Sequence, residues 1–101
     1  MALQAAFIFL SAQGDPAVHH NITDAGDVKL STFAVKDYAA ACKLTEQLVE
    51  QGFVAIELCG GFGVQGVAAV DRAANGKAVV GVVRFDHHPG LDHRSGDSLF
   101  S

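Results

Sequence analysis

The chain has 101 residues, half of them apolar and 18% charged, with a net charge of −4. That length fits one domain, and the composition is that of a folded chain, not a disordered one. The acidic balance excludes broad binding to nucleic acid or to anionic membranes, which need a basic surface; a small anionic ligand stays open, because it responds to the local field.

Residues 5–10, AAFIFL, are the first apolar run. No cationic segment precedes them, and the run is about half the length of a signal core, so it reads as a strand. Asp15-Pro16 then predicts a short helix over residues 16–22, with Asp15 as N-cap and Pro16 at the first helical position. Residues 28–35 alternate and predict a second strand. Asp37 caps a longer helix. Tyr38, Ala41, Thr45, Leu48 and Val49 recur along it at helical spacing, while Lys43, Glu46, Gln47 and Glu50 face away. Gly52 stops it. Residues 53–58 form a third strand, residues 64–74 a third helix ended by Asn75-Gly76, and residues 78–85 a fourth strand. From Asp92 onward the residues are polar and read as a loosely held C-terminal tail, residues 92–101, on a single α/β domain spanning 1–101.

The expected fold is therefore α/β, with a four-stranded, mainly parallel sheet in β-α-β-α-β-α-β order. It is either half of a flavodoxin-like sheet or a half-barrel. Three helices cannot cover both faces of strands that are apolar on both sides. The bare face predicts a homo-oligomer, with a dimer favoured. No segment approaches the ~20 apolar residues of a membrane span, so a cytoplasmic protein is expected.

In parallel sheets, ligands bind beyond the carboxyl ends of the strands. His19 and His20 follow the first strand; Glu57, Cys59 and the glycine loop follow the third; Arg84, Asp86, His87, His88 and His93 follow the fourth. The loop Gly61-Phe62-Gly63-Val64-Gln65-Gly66 spells G-x-G-x-x-G, and Asp86 lies at the distance of a ribose-binding acid. Four strands are too few for a dinucleotide fold, so no cofactor is expected. The narrower expectation is an anion cradle at Gly60, Gly61, Phe62 and Gly63. A phosphate or carboxylate would meet backbone N–H groups and a helix N-terminus there. Arg84, His19 and His88 would complete the ligand set.

Glu57 stands among apolar neighbours, where a buried carboxylate is perturbed and suited to proton transfer. A structural ion pair with Arg84 is the alternative. Cys59 precedes a helix N-terminus that favours a thiolate, and His87 is a third acid–base candidate. The Asp86–His93 stretch is rich in metal-ligand types, but its spacing fits no standard site and no metal is expected. Two functional readings follow. One is a small enzyme moving protons on an anionic metabolite, as an isomerase, lyase or hydrolase. The other is non-catalytic: a binding or sensing module, or a structural homo-oligomer.

The strings KDYAAA, AIELCGGFG, VVGVVRFD, HHPG and SGD together resemble a small bacterial family known as a domain of unknown function. The resemblance spans most of the chain, from AAFIFLSA to SGDSLF. It implies a soluble bacterial α/β protein of this size and carries over no activity and no catalytic residue.

Overall fold

The structure, a computed structural model, describes residues 2–101. It contains β1 (Leu3–Leu10), β2 (His20–Asp24), β3 (Val28–Val35), α1 (Tyr38–Glu50), β4 (Ala55–Leu58), α2 (Val64–Ala74) and β5 (Val79–Val82). The sheet has five strands in the order β2-β3-β1-β4-β5. β3, β1, β4 and β5 run parallel, and β2 lies antiparallel on the outer edge of β3. The α/β class holds, with a mixed sheet of five strands where four were expected.

The difference lies in residues 16–22. Asp15 does start a turn: its Oδ1 accepts from the Ala17 N–H, and its carbonyl accepts from Val18 and His19. The turn stops there, and no helix forms. Ile22 and Thr23 are β-branched, and the free edge of β3 offers their backbone a ladder. The return from β2 to β3 is a tight turn in which Gly26 adopts φ +94° and Asp24 Oδ1 accepts from the Gly26 N–H. A helix became an edge strand because its hydrogen bonds had a non-local alternative.

The longer helices follow their local signals. The Asp37 carboxylate accepts from the Ala40 N–H at 2.8 Å and caps α1. Asp37→Ala is expected to cost about 1 kcal/mol in denaturant unfolding. Past the end of α1, Gly52 takes φ +93°, and Asn75 ends α2 in the left-handed region. Among the described residues, no helix is long and apolar enough to cross a membrane.

Both crossovers, β3-α1-β4 and β4-α2-β5, step the same way across the sheet. With right-handed connections both helices then fall on one face, and α1 and α2 pack against each other. The core is the layer between them and the sheet: Ala6 and Ile8 of β1, Phe33 and Val35 of β3, Ile56 and Leu58 of β4, against Tyr38, Ala41, Leu44, Leu48 and Val70.

The strand residues of opposite parity form the other face, which no described helix covers, although Ala5 and Ala34 on it are buried. Leu3 (45% exposed), Phe9 and Val79 (78% exposed) lie open on it, with Phe7 and Leu30 half-buried beside them. Glu57, in register with Phe7 and Gly81, belongs to this face.

The C-terminal segment, expected as a loosely held tail, is anchored. Gly96–Ser98 form a short 3-10 turn, Gly96 is buried, and the Phe100 carbonyl accepts from the Tyr38 N–H. Phe100 packs against the core and tilts against the Tyr38 ring.

Candidate functional site

α2 begins at Gly63, which has no side chain to cap it. The cap comes from the C-terminal strap. Asp97 reaches the helix N-terminus and accepts from the N–H groups of Gln65 at 3.2 Å and Gly66 at 3.3 Å. Tyr38 closes the arrangement: its hydroxyl donates to Asp97 Oδ1 at 2.8 Å and accepts from the Gly63 N–H at 2.9 Å. The ring is stacked on the buried Phe62, with centroids 5.5 Å apart. Burial pushes the Tyr38 phenol well above its ordinary value. The Asp97 carboxylate adds to the rise, and the Gly63 N–H opposes it.

The loop thus has the physics of an anion cradle, and a carboxylate of the same chain fills it. An external anion at this point has to displace Asp97. Close packing accounts for the glycines, most strongly at Gly63 and Gly66. A Cβ on Gly66 would meet the Tyr38 ring at 2.5 Å, one on Gly63 would fall on the Asp97 carboxylate, and one on Gly60 would meet Phe85 at 3.0 Å. Gly61 packs against the strap at Gly96, and its N–H donates to Cys59 Sγ at 3.3 Å.

The acid–base candidates do not converge. Glu57 is exposed on the bare face, not buried in an apolar strand end. It makes no ion pair with Arg84, whose Nε instead meets Asp86 Oδ1 at 2.9 Å, both side chains being well exposed; such a pair contributes little. The misreading came from neighbours in sequence: Ile56 and Leu58 point to the opposite face of β4 from Glu57. Cys59 is half-buried with its sulfur engaged by Gly61. His87 is exposed, its Nδ1 3.3 Å from the His93 carbonyl oxygen.

The five histidines share one end of the sheet but not one edge. His19 accepts from the Asp15 N–H, and His20 stacks on Phe33 beside β2. His88 accepts from the Gly90 N–H in the segment after β5 and packs against Phe85. β2 and β5 are the two outer strands, and four strand spacings of about 4.8 Å separate them by about 19 Å. Among the described residues, no group of three or more His, Cys, Asp or Glu is placed to hold a metal ion.

Two grooves flank the helix layer. One, of about 440 Å³, lies between α2 and β5 and brings together Phe62, Gly63 and Arg84 of the expected ligand set, with Val67, Val82 and Asp86. The other, of about 760 Å³, lies on the far side of α1, where no described helix covers β2 or the outer flank of β3; Lys29, Ser31, Phe33, Lys43, Leu44 and Leu48 line it. The larger groove is far from the glycine loop. Sequence reasoning missed it because residues 16–22, read as a helix, were assigned to covering the sheet. The one signal was Lys29, the single charged residue of the strand over residues 28–35.

Among curated proteins and among solved structures, none matches the chain. A family model matches residues 3–98, from the start of β1 to the turn that carries Asp97, and the chain belongs to that family, described as Family of unknown function (DUF6506).

Proposed function

We propose that this protein is a non-catalytic small-molecule-binding module that works as a homodimer joined through the bare face of its sheet. Proton-transfer catalysis needs an acid and a base within hydrogen-bond reach of one substrate. Glu57 lies on one face of the sheet, Cys59 turns its sulfur to the glycine loop, and His87 stands in the exposed segment after β5. Neither the groove beside α1 nor the one beside α2 is lined by any of the three. The grooves beside α1 and α2 have ligand-sized volumes instead.

The bare face is the observation that carries the assembly. Five strands about 4.8 Å apart and about 20 Å long present about 500 Å² per protomer, or about 1,000 Å² for a pair, which reaches the size of a biological interface. Its strand positions are apolar or small, with Asn21, Thr23 and Thr32 toward one edge. Glu57 is the one ionisable side chain among them. A second copy covers this face and leaves both helix-side grooves open. Phosphate or carboxylate ligands fit the cationic groups that border those grooves, Arg84 at one and Lys29 and Lys43 at the other.

Sedimentation tests the assembly. The wild-type chain is expected at twice 10.5 kDa at micromolar concentration. Val79→Glu puts a charge on a residue already 78% exposed, so the monomer fold survives. The dimer dissociation constant is expected to rise by at least about tenfold, roughly 1.4 kcal/mol. Glu57→Gln removes the one charge on the face and is expected to tighten association. A wild-type monomer with native circular dichroism would sink the dimer.

A further inference from the structure

We infer that the groove between α1 and the β2–β3 edge binds an amphipathic monocarboxylate, a small molecule with an apolar body and one acid group. The inference rests on the binding-module reading and is independent of the dimer, because the groove lies on the helix side of the sheet.

The topology creates the trough. The helix face of β3 and β2 extends past α1 with nothing above it, so the floor of the groove is the flank of the core. Phe33, Leu44, Leu48 and Phe53 are buried residues that border it, and Ile22 of β2, 51% exposed, forms its outer wall. At about 760 Å³ it falls within the range of small-molecule sites, which combine an apolar lining with a few polar groups.

Those polar groups select the ligand. Lys29 projects from β3, half-buried, and Lys43 from α1. Neither forms an ion pair with a described residue. Asp24 lies opposite Lys29 in register, and its Oδ1 is bonded to the Gly26 N–H. Asp15, the one carboxylate lining the groove, is likewise turned to its own backbone at Ala17. Two ammonium groups beside an apolar floor therefore lack an internal anion. A carboxylate suits them better than a phosphate: no arginine lines the groove, and in the first turn of α1, where Ala40 borders it, the Ala40 N–H is already taken by the Asp37 carboxylate. Ser31, 2% exposed at the floor, adds a hydroxyl.

Nuclear magnetic resonance on the isotope-labelled full chain is the test, with octanoate as probe, octanamide as its uncharged control and inorganic phosphate as the plain anion. Octanoate is expected to shift the amide signals of Ser31, Phe33, Lys43 and Gln47. Octanamide should bind about tenfold more weakly, and phosphate should leave these signals in place. Lys29→Gln with Lys43→Gln should weaken octanoate by about tenfold or more without lowering the thermal midpoint. Equal binding of octanoate and octanamide would overturn the inference. Shifts confined to Phe62, Val67 and Val82 would overturn it too, while leaving the binding-module reading in place. If no probe moves any signal, both fall.

Discussion

Replacing Gly96 with alanine is expected to lower the unfolding free energy by about 3 kcal/mol. An added Cβ would fall on the Gly61 carbonyl oxygen and within 3.1 Å of the Tyr38 hydroxyl. Gly61 is backbone in a packed loop, so no rotamer change relieves the clash, and the strap has to lift. Lifting it takes Asp97 off Tyr38, Gln65 and Gly66 together. Hydrogen bonds to a charged acceptor contribute about 1.5–3 kcal/mol each, and a carboxylate at a helix N-terminus about 0.3–1 kcal/mol. These terms overlap, because the N–H groups regain water once the strap is gone. Asp97→Ala removes the same bonds without the clash and should cost about 2 kcal/mol. If the strap acts as one unit, the double variant loses no more than Gly96→Ala alone. Denaturant unfolding of the three variants decides this; a loss below about 1 kcal/mol for Gly96→Ala would mean that the neighbours yield instead.

Much of the fold was legible because it is locally encoded. The second predicted strand matches β3 residue for residue, and Asp37, Gly52 and Asn75 bound α1 and α2 as their chemistry requires. β2 was not legible. All five of its residues are exposed, so it carries no apolar period, while Asp15-Pro16 is a real turn start whose continuation depends on the edge of β3, residues 28–35. The Ala25-Gly26-Asp27 turn is a local signal for a hairpin that the reading of residues 16–22 as a helix left out. The strand order was not legible either, because nothing local encodes which strands lie side by side. Without that order, the histidines of the first and last connections looked like neighbours.

The candidate site shows a different limit. The sequence marked the glycines of residues 60–66 as a place where other atoms can approach the backbone closely, and at Gly63 and Gly66 atoms of this same chain do so. It could not say what fills the space. Tyr38 looked like one more apolar position on α1, and Asp97 like part of a polar tail. They meet across 59 positions of chain, a separation that no motif spacing encodes. Glu57 failed for a third reason. Its sequence neighbours are apolar, but in a strand the immediate neighbours occupy the other face.

The same pairing of Tyr38 with Asp97 leads to an alkaline transition. Tyr38 is the one tyrosine and there is no tryptophan, so phenolate absorbance reports this residue alone. Its phenol is raised, by burial first and by Asp97 second. Below pH about 10 the folded and unfolded chains both hold the proton, and Tyr38 adds no pH dependence. Above it the unfolded chain releases the proton while the folded chain keeps it. The unfolded state then binds fewer protons, and stability falls by up to about 1.4 kcal/mol per pH unit until the folded phenol itself titrates. Cys42 contributes a smaller decline starting lower, because burial, helped by Glu46 and opposed by Arg72, raises its thiol. Tyr38→Phe in a Cys42→Ala background separates the two. It should start about 1–2 kcal/mol lower at neutral pH, having lost the bonds to Gly63 and Asp97, and lack most of the alkaline slope. In the parent chain, phenolate absorbance should appear together with loss of the fold. A phenolate that forms near pH 10 while circular dichroism stays native would show that the ring is open to water, and the Tyr38–Asp97 contact would then not be what holds the strap on α2.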